Sequence, residues 1–170
     1  RYFETVQAKT AAVVLIPLLE DSDKDIQERT VRLLSGAGQP VVQPLLQRVP
    51  TASRSAQLNA VRILCAVRGK SALKGLLQML LAGSDELNKN LCDLLTPVVR
   101  EMDAKEQEQF FAEVEAFAGD LDVKQQRPAA VSAMRLLGLL GRPQARRWLF
   151  KFVGAENPPI LRSHALVALL

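Results

Sequence analysis

An apolar pair recurs five times along the chain at similar intervals, and this repetition constrains the fold more than any other feature of the sequence. Successive pairs are separated by 27, 31, 34 and 38 residues. Periods in this range are typical of proteins in which one small structural unit is repeated and stacked. The pairs are Leu18 and Leu19, Leu45 and Leu46, Leu76 and Leu77, Phe110 and Phe111, and Trp148 and Leu149.

A second phrase precedes three of these pairs and predicts the turn of each repeat. It reads "RTVRLLSGAG" at 29–38, "NAVRILCAVRG" at 59–69 and "SAMRLLGLLG" at 132–141. Each copy ends in glycine, which is favoured just after a helix because it adopts left-handed backbone angles at little steric cost. Each repeat is therefore predicted to be a helix, a tight turn and a second helix.

The spacing of apolar residues predicts an all-α chain. Apolar side chains recur three or four positions apart, as on one face of a helix, for example at Leu73, Leu76, Leu77, Leu80 and Leu81. No strand-like alternation persists in the sequence. We predict helices over 11–20, 24–36, 40–49, 54–67, 70–82, 85–100, 104–118, 127–140, 143–153 and 158–170, with residues 1–10 helical as well.

Prolines refine the predicted helix starts. Pro40 and Pro143 each follow a glycine by two positions and suit the first helical position, where a missing N–H costs nothing. Pro44 then predicts a loosened first turn or a helix that begins after Pro40, and Pro17 predicts a kink or a helix restart.

Polar residues mark three further helix starts. Ser84 is a predicted N-cap, and Asp103 with Glu106 has the spacing of a capping box. Asn157, followed by Pro158, is predicted to open the last helix.

The repeat resembles a known family. A helix ending "VRLLSGAG", followed by "QPVVQPLLQRV" and a polar break, is similar to the HEAT repeat, especially the short HEAT-like form of phycobilisome lyases and many bacterial scaffold proteins. The likeness is clearest over 24–83 and 127–153 and weaker over 85–118. Tetratricopeptide and ankyrin repeats have similar periods, but their W-x-x-L-G-x-x-Y and T-P-L-H signatures are absent from the sequence.

The resemblance implies an α-α superhelix, or solenoid, of about five helical hairpins. We expect 1–170 to form a single HEAT-like repeat domain, since its length and its 48% apolar content suit one domain. The chain begins at Arg1 and stops within "HALVALL", so we expect it to be a piece of a longer protein. The last helix would then show an apolar face that another chain, or a second copy, could cover.

Charge is distributed in blocks along the repeats. The net charges of residues 1–28, 29–84, 85–122 and 123–170 are −3, +8, −8 and +7. Residues 29–84 contain no carboxylate at all. Such zoning predicts a binding surface with basic and acidic regions rather than a uniformly solvated scaffold.

The candidate binding residues are basic and lie in the second helices of their repeats. If the second helices line the concave face, as the resemblance implies, these residues flank a gap occupied by Glu106, Glu108 and Glu113. Arg32, Arg62 and Arg135 recur at one place in the first helices and are interpreted as structural side chains with solvated heads. The candidate binding residues are Lys70, Lys74, Arg142, Arg146, Arg147 and Lys151.

The sequence offers little for catalysis or for a cofactor. Cys65 and Cys92 have no metal-ligand spacing and are interpreted as reduced core thiols. His164, the one histidine, has no partner at a recognisable catalytic spacing. Trp148 is interpreted as a core residue. We therefore expect no cofactor, no metal site and no enzymatic activity.

Three classes of function follow from these observations. The first is a non-enzymatic scaffold for a protein or peptide of mixed charge. The second is nucleic-acid binding through the basic zones 29–84 and 123–170, although the sequence is poor in aromatic side chains for stacking on bases. The third is an enzyme, because the wider HEAT-like family includes DNA glycosylases and bilin lyases. No apolar run is long enough to cross a bilayer, so we expect a cytoplasmic protein.

Overall fold

The protein is all-helical, as its periodicity predicts. The computed structural model describes residues 10–170, and within that range it contains ten helices and no strand. Helix α1 is described over residues 10–15. The others are α2 (Lys24–Ala37), α3 (Val42–Arg48), α4 (Arg54–Val67), α5 (Gly69–Ala82), α6 (Asp85–Arg100), α7 (Ala104–Asp120), α8 (Arg127–Leu140), α9 (Pro143–Phe150) and α10 (Pro159–Leu169). The predicted helix over residues 1–10 lies almost wholly outside the described residues.

The chain divides into two compact units. The first unit extends to Gln78 and the second comprises Met79–Leu170, so the boundary falls within α5. In the first unit, α2 packs on α4, and a 3₁₀ segment, Ile16–Glu20, packs on both. Its core is formed by fully buried aliphatic side chains, among them Leu19, Leu34, Leu45, Ile63 and Leu64.

In the second unit, α8 is the central helix. It packs on α6, α7, α9 and α10. Phe110 from α7 and Met134 from α8 are among its largest fully buried side chains. Within each unit, alternate helices pack together, α2 with α4 in the first and α6 with α8 and α8 with α10 in the second.

The glycine turns have the predicted backbone geometry. Gly38, Gly69 and Gly141 have φ angles of 71°, 82° and 59°, all in the left-handed region. The Gln39 side chain donates a hydrogen bond of 2.7 Å to the Arg68 carbonyl oxygen beside the second turn. Gly38 and Gly141 directly follow α2 and α8, whereas α4 is followed by Arg68, itself at a φ of 56°, and Gly69 is the first residue of α5.

The prolines also act as predicted. The chain changes from α-helix to the 3₁₀ segment Ile16–Glu20 at Pro17. Around Pro40 a 3₁₀ turn, Gln39–Val41, precedes α3. Pro44 is then the third residue of α3, a position whose N–H has no intrahelical partner to lose.

The predicted caps at Ser84 and Asp103 are confirmed. The Ser84 hydroxyl accepts from the Leu87 N–H at 3.3 Å. Asp103 accepts from the Glu106 N–H at 2.8 Å, and the Glu106 carboxylate accepts from the Asp103 N–H at 3.2 Å. These two reciprocal bonds make the capping box of α7.

The boundaries around α9 and α10 differ from prediction. Helix α9 ends at Phe150 because the next backbone N–H groups bond three residues back, which converts the helix into successive turns. The Asn157 side chain donates to the Lys151 carbonyl oxygen at 3.0 Å. Asn157 therefore caps the end of that turn region, and the prediction that it opens the last helix was wrong. Pro158 is the N-cap residue of α10 and Pro159 its first residue.

Four helices share a side-chain amide that the sequence analysis did not identify. Each amide is at the fourth helical position, four residues after a Ser or Asp N-cap. Each donates to a backbone carbonyl near the end of the preceding helical segment, at distances from 2.6 to 3.3 Å. The amide thus joins one helix end to the next helix start, and at Val49 and Val99 it shares the carbonyl oxygen with a backbone N–H. The four residues are Gln27, Gln57, Asn88 and Gln107.

Candidate functional site

The six predicted basic residues are distributed over both units. Lys70 and Lys74 lie one turn apart on α5 in the first unit, and both are exposed. The other four belong to α9 and its flanks in the second unit. Arg142 is the half-buried N-cap residue of α9, whereas Arg146, Arg147 and Lys151 are exposed.

Two of these residues line an open groove in the second unit. The groove lies between the C-terminal part of α7 and α9, and its volume is about 610 Å³. This volume is within the range of roughly 300–1,000 Å³ typical of ligand sites. The groove is lined by Glu115, Gly119, Pro143, Gln144, Arg147, Trp148 and Lys151.

Trp148 connects the two walls of this groove. Its indole N–H donates to the Ala118 carbonyl oxygen at 3.1 Å. Ala118 is in the last turn of α7, where carbonyl groups have no intrahelical donor, so the indole caps the end of that helix. The indole ring also contacts Phe152, with the ring centroids 4.7 Å apart and the planes tilted by 57°.

Trp148 is not the core residue that its position in the repeat predicted. Its partner in the apolar pair, Leu149, is fully buried, but Trp148 is half-buried and its remaining surface faces the groove. Gly119 also lines the groove, and a Cβ atom added there would meet no atom within 4 Å, so it lies beside open space. The groove therefore has an apolar floor that the sequence did not reveal.

The acidic wall of the groove is made by Glu115 rather than by the predicted acidic residues. Glu106 belongs to the capping box of α7, and neither Glu108 nor Glu113 lines the groove. Glu115 is four residues before Gly119, so the two lie on the same face of α7. A carboxylate one helical turn before a glycine is the sequence pattern that could have identified Glu115.

Side chains in the groove are available to a ligand. Within residues 10–170, Arg62 and Glu28 form an ion pair, but none is formed by Glu115, Arg147 or Lys151. The acidic and basic walls thus face the same open volume without neutralising each other by direct contact.

Of the three recurring arginines, Arg62 has a structural role, but its guanidinium is paired with Glu28 rather than only solvated as predicted. Its two terminal nitrogens donate to the two Glu28 carboxylate oxygens at 2.6 and 2.9 Å, which joins α4 to α2. This hydrogen bonding lowers the pKa of Glu28 and raises the pKa of Arg62. Arg32 is exposed and Arg135 half-buried.

Neither cysteine has the environment of a catalytic nucleophile. Both thiols are buried and unpaired with each other. Burial raises the pKa of Cys65 to about 12, and burial also raises the pKa of Cys92. His164 is half-buried, and its burial together with the charge of Arg135 lowers its pKa.

We expect both thiols of the folded chain to be unreactive toward Ellman's reagent near pH 8. The raised pKa keeps each sulfur protonated, and the thiolate is the reactive form. In guanidinium chloride both thiols should react at once, and this gives the reference for the measurement. Rapid labelling of one thiol per folded molecule would contradict the buried environments described here.

Neither a metal site nor a membrane-spanning helix is found in the part of the chain that the structure describes. Between residues 10 and 170, no three His, Cys, Asp or Glu side chains are grouped so that they could hold a metal ion. In the same range, no helix is both long enough and apolar enough to cross a membrane.

Comparison of the chain with protein-family models, with curated proteins and with solved structures found no match.

Proposed function

We propose that this chain is a HEAT-like helical repeat module that acts as a non-enzymatic scaffold and binds a protein or peptide partner. The observation that carries this proposal is the open groove of the second unit, whose walls carry opposite charges and whose floor contains Trp148. A polypeptide suits such a groove because it can present basic, acidic and apolar side chains to the acidic, basic and aromatic groups that line it. In interfaces, Trp and Arg are the residues most often found at energetic hot spots.

The packing of alternate helices supports the repeat architecture. In a solenoid, the first helices of successive hairpins pack side by side, and each hairpin contacts only its neighbours. Helices α6, α8 and α10 have this relation within the second unit, and α2 and α4 have it within the first. The superhelix of about five hairpins, formed as one domain, is our proposal for the whole chain.

The six basic residues predicted from the sequence remain our proposal for the wider binding surface. They comprise two exposed lysines on α5 and four residues at α9. Reversal of such charges lowers the association rate and the affinity for an acidic partner region, because like charges then meet across the interface.

Nucleic-acid binding is the second candidate, and the half-buried Trp148 beside Arg147 and Lys151 is the observation that favours it. Aromatic side chains within a basic groove can stack on bases of a single strand. Glu115 opposes this function, since it would face the phosphates in the same groove.

Parallel binding measurements test the two candidates. The whole chain is used to select ligands from a displayed library of short random peptides. In parallel, it is titrated with labelled single-stranded RNA and duplex DNA at about 50 and 200 mM salt. We expect saturable binding of selected peptides to the folded chain and none to the chain unfolded in urea. Saturable nucleic-acid binding with a slope of about −0.9 per neutralised duplex phosphate, together with no selected peptide, would replace the scaffold by the second candidate.

A further inference from the structure

We propose that the groove between α7 and α9 binds an extended peptide segment in which a basic and an acidic residue flank an apolar one. This inference rests on the proposed function and specifies its site and the chemistry of its partner. The groove's two charged walls and its single aromatic floor residue lead to it.

The α7 wall of the groove favours a positive group. Glu115 supplies a carboxylate there, and the groove reaches Gly119 in the last turn of α7. The C-terminal end of a helix carries a partial negative charge from its unpaired carbonyl groups. A lysine or arginine of the ligand would therefore be stabilised at this wall by both groups.

The α9 wall favours a negative group. Arg147 and Lys151 are four residues apart and both line the groove, so their charges lie on one face. Both side chains are exposed and can turn toward a ligand. An aspartate or glutamate would bind here, with Arg147 able to donate two parallel hydrogen bonds to its carboxylate.

Trp148 sets the chemistry between the walls. Its indole N–H is already donated to the Ala118 carbonyl oxygen, so the indole has no remaining donor for a ligand acceptor. What it offers is ring surface. An apolar ligand group packs on this surface, whereas a neutral polar group placed there would lose hydration without gaining a partner.

The same charges disfavour a nucleic acid in this groove. A strand whose phosphates lie on Arg147 and Lys151 would bring further phosphates toward Glu115 and the C-terminal carbonyl groups of α7. A peptide with alternating charge avoids this repulsion. Single-stranded RNA is therefore the competing occupant that the experiment must exclude.

Selected peptides and single-charge variants test the proposal. Trp148 is the only tryptophan of the chain, so its fluorescence reports directly on the groove. Peptides selected on the whole chain should contain an apolar residue flanked by a basic and an acidic residue. Their binding should change the fluorescence emission of Trp148. Arg147→Glu should weaken them by at least about tenfold, because the reversed charge would then face the acidic residue of the peptide.

Charge-reversing substitutions at the two walls should also change the peptide preference of the groove in opposite directions. Selection on Glu115→Lys should enrich peptides with acidic residues on both sides of the apolar residue. Selection on Arg147→Glu, which leaves Lys151 as the one positive charge of the α9 wall, should remove the preference for an acidic residue on that side. Glu108→Lys and Arg127→Glu are the matched controls, because they make the same charge changes at exposed positions of the same unit outside the groove lining and should leave the selected sequences unchanged.

The possible failures are distinguishable. Peptides that bind without changing Trp148 emission, or that are weakened equally by Arg127→Glu and Arg147→Glu, would overturn the groove assignment and leave the scaffold function standing. Failure to select any peptide would overturn both. Displacement of a selected peptide by single-stranded RNA, with steep salt dependence, would overturn the peptide as occupant.

Discussion

Replacing Phe110 by alanine is expected to destabilise the second unit by about 3–5 kcal/mol, the usual cost of removing a buried phenylalanine side chain. Phe110 is 1% exposed and is the largest of the fully buried side chains in that unit. It lies on α7, which packs against the central helix α8. The loss combines the lost burial of the ring with the cavity that remains.

Urea unfolding of the whole chain, followed by Trp148 fluorescence, measures this loss because Trp148 is in the same unit. Phe150→Ala is the matched control. Phe150 is 62% exposed, so removal of its ring should change the free energy of unfolding by no more than about 0.5 kcal/mol. Equal losses from the two variants would show that the burial of α7 is described incorrectly.

The helices were predictable because their boundaries depend on local chemistry. Gly38, Gly69 and Gly141 adopt the left-handed angles that the repeated phrase predicted. Ser84 and Asp103 form the predicted side-chain bonds at the helix starts. The glycine turns and the N-caps each depend on residues only a few positions apart, so they can be predicted from the local sequence.

The end of α9 was less predictable because two weak preferences compete there. The apolar spacing of "RRWLFKFV" continues to Val153, but the backbone changes to three-residue turns after Phe150. The Asn157 side chain stabilises this change by bonding to Lys151 from six residues away. An amide that bonds backward across a turn has the same sequence signature as one that caps the next helix.

The groove was only partly predictable from the sequence. Arg147 and Lys151 were identified from their charge and their place in a second helix, and both line it. Glu115 and the exposed surface of Trp148 were not identified, because both depend on how far α9 lies from the end of α7. That separation is set by the indole bond to Ala118, a contact between residues 30 positions apart.

A second large effect is expected at Gly138, where α8 lies close to the Ala168 backbone of α10. A methyl group added there would lie 2.7 Å from the Ala168 Cα atom and 2.8 Å from its Cβ atom. Because one of these atoms is backbone, the two helices must move apart. We expect Gly138→Ala to destabilise the second unit by about 1–3 kcal/mol, the usual cost of overpacking, although alanine itself favours a helix.

Gly119→Ala is the matched control for this prediction, since it is the same substitution on a helix of the same unit. A methyl group at Gly119 would meet nothing within 4 Å, so this variant should keep or slightly raise the free energy of unfolding. Both variants are measured by urea unfolding with Trp148 fluorescence.

A compensating substitution separates overpacking from other causes. If the added methyl group destabilises by contact with Ala168, then Ala168→Gly in the Gly138→Ala background should recover part of the loss, even though Ala168→Gly alone weakens α10. Such non-additivity is the signature of two residues in direct contact. Additive losses would mean that the Ala168 Cβ atom contributes nothing to the overpacking, because Ala168→Gly leaves the closer contact with the Cα atom in place.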